Sequence, residues 1–182
     1  ILVGAGTIRA DDPRLLVRSP ARRAGRLARG LPASPVRVTL TRCGDLDPAA
    51  QFFTAEVEGG PGERIVYTAS QAAASLRERL SGAGATVVAT AGPDGGGLDD
   101  VLADLGRRGV RRLLVEGGTG VFTGFLSAGL ADELHLLVAP FFTGGGPRLT
   151  GAGSYPRHPG NPMTLAEVTR IGDAVLLRYL LA

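Results

Sequence analysis

The residues best suited to ligand chemistry form a turn in which a carboxylate is followed by glycines. An apolar run at residues 113–115, short enough for a buried parallel strand, stops at Glu116, and Gly117, Gly118 and Gly120 follow it. Backbone without side chains beside the first turn of a helix suits a phosphate, because free N–H groups point towards it. Glu116 would hold a donor-rich group such as a uracil-like base or an amine. The turn therefore predicts a site for a phosphorylated ligand.

A second glycine turn lies near the start of the chain, at residues 4–6. It is not a dinucleotide-binding G-x-G-x-x-G fingerprint, because Arg9 stands where the third small residue belongs and Pro13 prevents a long helix. The pattern instead predicts a strand, a glycine turn and one helical turn capped by Thr7. A short extended piece that carries Arg18 is expected to follow.

The other side chains that could do chemistry stand alone in the sequence. His135 lies among leucines in the middle of a strand and is interpreted as a packing or edge residue. His158 lies in a proline-rich loop and is expected to be solvated. Cys43 is the only cysteine, so the sequence offers neither an internal disulfide nor a cysteine metal site. We therefore expect no metal, and a reducing compartment such as the cytoplasm.

Strands and helices alternate through residue 139, which favours parallel βαβ units with right-handed crossovers. The sequence pattern predicts strands at residues 1–3, 36–41, 64–68, 85–89, 113–115 and 132–140. It predicts helices at residues 72–80 and 98–107, and a third that follows the glycine turn at residues 116–120 and ends at Gly129. Residues 19–35, rich in arginine, alanine, glycine and proline, are expected to form an exposed basic loop.

The C-terminal region follows a different pattern. After a glycine-rich excursion at residues 141–155, residues 164–171 and 174–181 predict a β-hairpin. We expect the hairpin to add antiparallel edge strands to a mostly parallel sheet. The predicted fold class is therefore α/β, with a mixed, mostly parallel sheet flanked by helices.

Composition limits the class of protein. A chain of 182 residues, of which 44% are hydrophobic, predicts a single domain with one core. The formal charge is +3 and all 20 basic residues are arginine, which we interpret as genomic composition bias rather than nucleic-acid binding. No apolar run approaches the roughly 18 residues that a membrane span needs. The first three residues look like the end of a strand already under way, so we expect further sequence upstream.

Three segments, in order along the chain, resemble one family. They are Gly-Ala-Gly-Thr-x-Arg-Ala-Asp-Asp-Pro-Arg-Leu-x-Val-Arg at residues 4–18, Val-Glu-Gly-Gly at 115–118, and Ala-Asp-Glu-Leu-His-Leu-x-Val-Ala-Pro at 131–140, with three glycines at 144–146. The family is the pyrimidine reductase domain of riboflavin biosynthesis, which has a dihydrofolate-reductase-like fold. The resemblance implies a single reductase domain over residues 1–182, truncated at its amino end, since the family's first strand has no counterpart here.

By this resemblance, the reaction is the NADPH-dependent reduction of 5-amino-6-(5-phosphoribosylamino)uracil, or of its 2,5-diamino-pyrimidinone counterpart, to the ribitylamino product. The N-glycoside opens to an imine and the nicotinamide delivers hydride to the sugar carbon, so the protein mainly positions two ligands and excludes water. The resemblance also implies a homodimer, with neither nucleic acid nor membrane as partner. It leaves the catalytic residue unassigned.

The resemblance also implies roles for individual residues. Substrate contacts are expected at Leu15, Arg18 and Glu116, with Arg18 gripping the ribose 5-phosphate through two parallel hydrogen bonds. In this fold the Gly-Gly peptide is often cis, which predicts a cis bond between Gly117 and Gly118. The implied cofactor contacts are Thr7, Asp11, Gly117, Gly118, Thr119, Gly120, Val121, Phe122, Thr123 and Gly124.

Arg42 departs from the family, which more usually has a small hydroxyl residue near this position. Its guanidinium could pair with the 2′-phosphate of the cofactor and favour NADPH over NADH, and a loop arginine in water is the alternative. The alternative for Arg18 is a surface salt bridge, and for Glu116 a buried structural role. For the whole chain, the alternatives are a related reductase acting on another pyrimidine, a pterin or a secondary-metabolite intermediate, and a catalytically silent nucleotide-binding domain.

Overall fold

The structure is a computed structural model that describes residues 1–56, 62–91 and 97–181. The chain forms two compact units, Ile1–Gly118 and Thr119–Ala182. The expectation of one reductase domain over residues 1–182 stays a prediction.

The first unit is built on a five-stranded parallel sheet. Its strands are β1 (Leu2–Gly4), β2 (Arg37–Thr41), β3 (Arg64–Ala69), β4 (Thr86–Thr90) and β5 (Val115–Gly117). They lie in the order β4-β3-β2-β1-β5, so the chain adds strands on one side of β1 and then returns to its other side. This reversal makes the position between β1 and β5 a topological switch point, where ligands bind in open α/β sheets.

The helices described in the first unit connect these strands. They are α1 (Ala5–Asp11), α2 (Pro20–Leu27), α3 (Gln51–Thr54), α4 (Ser70–Arg79) and α5 (Leu98–Arg107). The bounds of α5 are those predicted. The cap predicted at Thr7 is wrong, because α1 begins two residues earlier with Gly4 in the cap position and no side chain capping it. None of the described helices is long and apolar enough to cross a membrane.

α2 lies where the sequence predicted a loop, and that prediction was wrong. Ser19 caps the helix by accepting a hydrogen bond from Arg22 N (3.3 Å), and Pro20 occupies the first turn, where no N–H is needed. No residue of α2 is buried, so the predicted exposure is confirmed. The arginine-rich composition obscured a helix whose start signal is the Ser-Pro pair.

The core of the first unit surrounds β3, in which all six residues are buried. Phe52 and Phe53 of α3 pack edge to face with ring centroids 4.9 Å apart, in a cluster that includes Leu76. Tyr67 of β3 donates its hydroxyl to Asp104 Oδ2 (2.8 Å). Burial, together with this carboxylate, raises the pKa of Tyr67. The hydrogen bond ties α5 to the sheet.

β5 is displaced from its predicted position. The strand begins at Val115 and continues through Glu116 to Gly117, whereas the apolar run at residues 113–115 predicted an end before Glu116. Leu114 is 54% exposed, so the run is not a buried strand. β5 lies at the edge of its sheet, where burial on both faces is not required.

The described part of the second unit, residues 119–181, contains one helix and an antiparallel sheet. Its elements are α6 (Thr119–Ser127), β6 (Glu133–Val138), β7 (Thr164–Ile171) and β8 (Ala174–Leu180), with strand order β6-β8-β7. The helix before Gly129 and the C-terminal hairpin are both confirmed. The prediction that the hairpin extends the parallel sheet was wrong, because β8 pairs with β6 on one side and β7 on the other, forming a separate sheet.

Phe52→Ala should lower the free energy of unfolding by about 3–5 kcal/mol, because it empties a fully buried site and removes the contact with Phe53. Phe142→Ala, at a fully exposed phenylalanine, is the matched control and should change it by less than about 0.5 kcal/mol. Urea unfolding followed by circular dichroism measures both changes. A loss below about 1 kcal/mol for Phe52→Ala would contradict this packing.

Candidate functional site

Thr7 and Gly118 lie side by side at the switch point between β1 and β5. Thr7 is in the first turn of α1, which begins where β1 ends, and Gly118 directly follows β5. A Cβ atom placed on Gly118 would lie 3.3 Å from Thr7 Oγ1, so the missing side chain leaves room beside that hydroxyl. The Gly117–Gly118 peptide is cis, as predicted, and the φ of Gly117 is +120°, a conformation that favours glycine. The two glycines bring bare backbone to the carboxyl edge of the sheet.

Asp11 and Arg42 are the other predicted cofactor contacts in the first unit. Asp11 is four residues after Thr7, so the two side chains share one face of α1 about 6 Å apart along its axis. Arg42 is the first residue after β2 and is exposed. Because β1, β2 and β5 run parallel, Arg42 follows β2 at the same sheet edge as Gly117.

The remaining predicted cofactor contacts, residues 119–124, are the first six residues of α6 in the second unit. Thr119 Oγ1 donates a hydrogen bond to Arg148 O. Thr123 Oγ1 donates to Thr119 O (2.7 Å) and accepts from Gly151 N (2.8 Å). The two hydroxyls therefore attach the start of α6 to a loop of its own unit.

The segment that carries Leu15 and Arg18 is anchored by Gln51. The backbone N of Gln51 donates to Asp12 Oδ1 (2.7 Å), and its Nε2 donates to Asp12 Oδ2 (2.9 Å) and O (3.1 Å). Arg14 Nε donates to Gln51 Oε1 (2.6 Å). The side-chain bond from Gln51 is the main reason why the pKa of Asp12 is lowered. Asp12 and Leu15 both have left-handed φ values, +41° and +52°, so the anchored segment turns sharply twice.

Arg37 anchors the same segment from the interior. It is fully buried at the start of β2, and its Nη1 donates to Phe52 O (2.7 Å) and Arg14 O (3.3 Å). Its guanidinium carbon lies 5.9 Å from the centroid of the Phe52 ring, within cation–π range. Burial, with a smaller contribution from Arg64, lowers the pKa of Arg37 to about 10. One buried cation thus holds both α3 and the turn at Arg14.

The two predicted substrate residues of this segment have different surroundings. Leu15 is half-buried and packs against the core cluster that includes Phe52. Arg18 is exposed, lines a cavity of about 820 Å³, and forms no ion pair with any described residue. Arg23 Nη1 donates to Arg18 O (2.8 Å) and Val17 O (3.2 Å) and so fixes the backbone of this piece. The alternative of a surface salt bridge for Arg18 receives no support.

Glu116, the predicted substrate-binding acid, is exposed, so the alternative of a buried structural carboxylate was wrong. It lies in β5, which pairs with β1.

Gln51, Arg37 and Ser34 hold the site but were not predicted from the sequence. Ser34 is buried, and its Oγ accepts a hydrogen bond from Val17 N (3.1 Å). No periodicity connects these residues with the segment at residues 12–18, because the contacts depend on the tertiary fold. The Ser-Pro signal at the start of α2 was the one local indication that residues 19–35 contain ordered structure.

The isolated histidines and cysteine are exposed. His135 lies on the edge strand β6, as one of its two interpretations predicted, and its Nε2 is 2.9 Å from Glu133 Oε2. His158 and Cys43 lie in exposed loop positions. In residues 1–56, 62–91 and 97–181, no group of three His, Cys, Asp or Glu side chains is placed to hold a metal ion.

Gln51→Ala should raise the pKa of Asp12 towards its ordinary value near 3.9, because the side-chain amide donor to its carboxylate is lost while the backbone N–H of residue 51 remains. In the native protein the lowered pKa means that ionised Asp12 stabilises the fold above about pH 3.9, and this contribution disappears as the pH falls through the native pKa. NMR titration of the Asp12 carboxyl carbon measures the shift. Gln71→Ala, at an exposed position of α4, is the control. An unchanged Asp12 pKa in Gln51→Ala would contradict the anchoring role.

Comparison with known proteins gives consistent matches along the chain. Residues 1–177 match the family model of the RibD C-terminal domain. The chain is 34% identical over 154 residues to 2,5-diamino-6-ribosylamino-4(3H)-pyrimidinone 5′-phosphate reductase of Archaeoglobus fulgidus, a match that covers 80% of this chain and 63% of the relative. It is 31% identical over 180 residues to the riboflavin biosynthesis protein RibD of Bacillus amyloliquefaciens, covering 97% and 45%.

A solved structure agrees with these matches. The diaminohydroxyphosphoribosylaminopyrimidine deaminase/5-amino-6-(5-phosphoribosylamino)uracil reductase of Thermotoga maritima is similar with a TM-score of 0.72 and 25% sequence identity, over 98% of this chain and 44% of that one. The chain spans less than two thirds of the length of each of these relatives. The family model and the identities together show that the chain belongs to the RibD C-terminal domain family.

Proposed function

We propose that this chain is an NADPH-dependent reductase of riboflavin biosynthesis. Its substrate is 5-amino-6-(5-phosphoribosylamino)uracil or the 2,5-diamino-pyrimidinone counterpart, and its product carries a ribitylamino chain. Family membership and the names of the relatives support this function. The observation that carries it is the open backbone of Gly118 beside the Thr7 hydroxyl at the switch point of a parallel sheet. We also infer a dihydrofolate-reductase-like fold and a cytoplasmic location.

The first unit has side chains that fit a nicotinamide dinucleotide. Bare backbone at Gly117 and Gly118 lets a diphosphate approach closely, and a larger residue at Gly118 would crowd the Thr7 hydroxyl that can donate to it. Asp11, on the same face of α1 as Thr7, can accept a hydrogen bond from a ribose hydroxyl. Contacts by residues 119–124 of α6 remain a prediction from the resemblance.

Arg18 and Glu116 suit the two ends of a phosphoribosylaminopyrimidine. The Arg18 guanidinium is exposed at a cavity and has the planar fork that binds a phosphate through two hydrogen bonds. The exposed Glu116 carboxylate accepts hydrogen bonds from amino or ring N–H groups. Leu15, which packs against the core, fixes the turn between Asp12 and Arg18. Arg18 and Glu116 together therefore fit a ligand that has a phosphate at one end and N–H donors at the other.

NADPH, when bound, supplies the hydride for the sugar carbon. The residues of the chain bind and orient the two ligands. Holding two reactants in the correct relative orientation is equivalent to an effective concentration of about 10⁵–10⁸ M in well-oriented intramolecular reactions. Positioning is therefore the contribution that we assign to Thr7, Asp11, Arg18 and Glu116, and no side chain is assigned as the proton donor.

We also propose that the protein is a homodimer. The antiparallel sheet of the second unit carries large exposed apolar side chains at Val138, Leu165, Val168 and Val175, which the strand register places on one face. Exposed apolar patches of this kind mark contacts with another surface. A second copy of the chain is the partner that the family resemblance implies, and homodimers are the commonest closed assembly.

The full chain should oxidise NADPH in proportion to the phosphoribosylaminopyrimidine added, and NADPH should be bound in its absence. Nicotinamide absorbance follows turnover, and nicotinamide fluorescence follows binding. Arg18→Gln should raise the KM for the pyrimidine about tenfold or more, because a charge-assisted phosphate contact is lost. Arg170→Gln, which removes the same charge from an exposed pair with Asp173, is the control.

The outcomes of this assay separate the competing functions. Binding of NADPH without turnover of either pyrimidine would favour a related reductase with another substrate. Failure to bind NADPH at all would favour a catalytically silent domain. Both results would contradict the proposed function.

Arg42→Ala should weaken the preference for NADPH over NADH, because its guanidinium is exposed at the carboxyl edge and can pair with the 2′-phosphate. The ratio of kcat/KM for the two cofactors measures the effect, with a fall of about tenfold expected for one charge-assisted contact. Arg77→Ala, an exposed arginine of α4, is the matched control. A ratio unchanged by Arg42→Ala would remove Arg42 from the cofactor site.

A further inference from the structure

α2 presents arginines to a cavity that begins at Arg18. Arg22, Gly25 and Arg26 are spaced i, i+3 and i+4, which places them on one face of the helix. They line the cavity of about 820 Å³ together with Arg29, and the piece of chain at residues 16–19 forms the rest of the lining. Four guanidinium-bearing residues therefore surround one space.

The positive charge of this region is not balanced locally. Residues 13–44 include eight arginines and no aspartate or glutamate. Among the residues that the structure describes, no carboxylate lines the cavity. Like charges that face one cavity repel each other, so the arrangement favours a ligand with more than one negative charge.

Two of the four guanidinium groups are available for a ligand. Arg26 Nε donates to Pro32 O (2.8 Å) and Arg29 Nε donates to Gly25 O (3.1 Å), so both take part in local structure. The side chains of Arg18 and Arg22 form no hydrogen bond or ion pair with any residue that the structure describes. Both are exposed and line the same cavity.

The walls of the cavity are fixed without Arg18 or Arg22 side chains. Arg23 Nη1 donates to the carbonyl groups of Val17 and Arg18, and Val17 N donates to the buried Ser34 Oγ (3.1 Å). These bonds join α2 to the piece at residues 16–19. The two free guanidinium groups are therefore carried by a backbone that is already in place, which lowers the entropy cost of binding.

We propose that Arg22 is a second phosphate-binding residue, which together with Arg18 binds the terminal phosphate of a sugar-phosphate substrate. A phosphomonoester carries close to two negative charges and three acceptor oxygens, enough for two guanidinium forks. Leu16 and Val17 line the same cavity and offer apolar contact to the carbon chain of the sugar. This inference rests on the proposed function for the identity of the substrate.

The other phosphomonoester of the reaction is the 2′-phosphate of NADPH, which we assign to Arg42 at the carboxyl edge.

Binding of ribose 5-phosphate and of ribose to the full chain, measured by isothermal titration calorimetry, tests the site without turnover. Arg22→Gln should weaken ribose 5-phosphate binding about tenfold or more, since one charge-assisted fork is lost. Arg22→Lys should restore part of it, because it returns the charge without the fork. Arg170→Gln should have no effect. Glutamine retains good helix propensity, and circular dichroism checks that α2 persists.

Steady-state kinetics then identifies the source of the phosphate. Arg22→Gln should raise the KM for the phosphorylated pyrimidine about tenfold with little change in kcat, and should leave the KM for its dephosphorylated counterpart and for NADPH unchanged. A wild-type KM for the phosphorylated pyrimidine in this variant would overturn the inference. A raised KM for NADPH alone would also overturn it, by assigning the cavity to the cofactor.

The inference and the proposed function fail in different ways. If ribose 5-phosphate binds in an Arg22-dependent manner but neither pyrimidine is turned over, the phosphate site stands and the proposed function fails. If the pyrimidine is turned over and ribose 5-phosphate binding is the same in Arg22→Gln as in the wild type, the function stands and the role of Arg22 is refuted.

Discussion

The parallel pairing of β1 between β2 and β5 is the constraint on which the candidate site depends. β1 has only three residues, all buried, and each flanking strand is fixed to it in parallel register. Because both neighbours run in the same direction as β1, the chain leaves all three strands at one edge of the sheet. Thr7 and Gly118 meet there although more than a hundred residues of sequence separate them. A different strand order would place the same residues apart.

A second group of interactions sets the position of the segment that carries Leu15 and Arg18. The left-handed turns at Asp12 and Leu15 are unfavourable for residues other than glycine, and the surrounding structure must hold them. Gln51 supplies hydrogen bonds from outside and Arg37 from the core. Burying the Arg37 cation is costly by itself, and its bonds to two carbonyl groups and its place at the Phe52 ring offset that cost.

The sequence predicted the regular elements well where local pattern determines them. The apolar face of α5 and the alternating hairpin of β7 and β8 are examples, since periodicity reports directly on burial. The sequence did not predict α2, because its arginine-rich composition is typical of an exposed loop. The start of this helix depends on Ser19 and Pro20. The sequence prediction also failed for β5, where the apolar residues before Val115 are exposed at a sheet edge.

The residues of the candidate site also form two groups, those that the sequence located and those that it did not. Thr7, Glu116 and the Gly117–Gly118 turn are marked by short motifs, so the resemblance could locate them. Gln51 and Arg37 could not be found, because they reach the site through tertiary contacts that have no sequence period. The separate antiparallel sheet could not be predicted from local sequence either, because the pairing of a strand depends on which other strands of the folded chain are available to it.

The proposed function requires a dinucleotide diphosphate to bind at the bare backbone beside Thr7. A crystal structure of the full chain with NADPH tests it most directly. We expect diphosphate oxygens within hydrogen-bond distance of the Gly118 main chain and of Thr7 Oγ1. Electron density for the cofactor at another edge of the sheet, with this position left to solvent, would contradict the account.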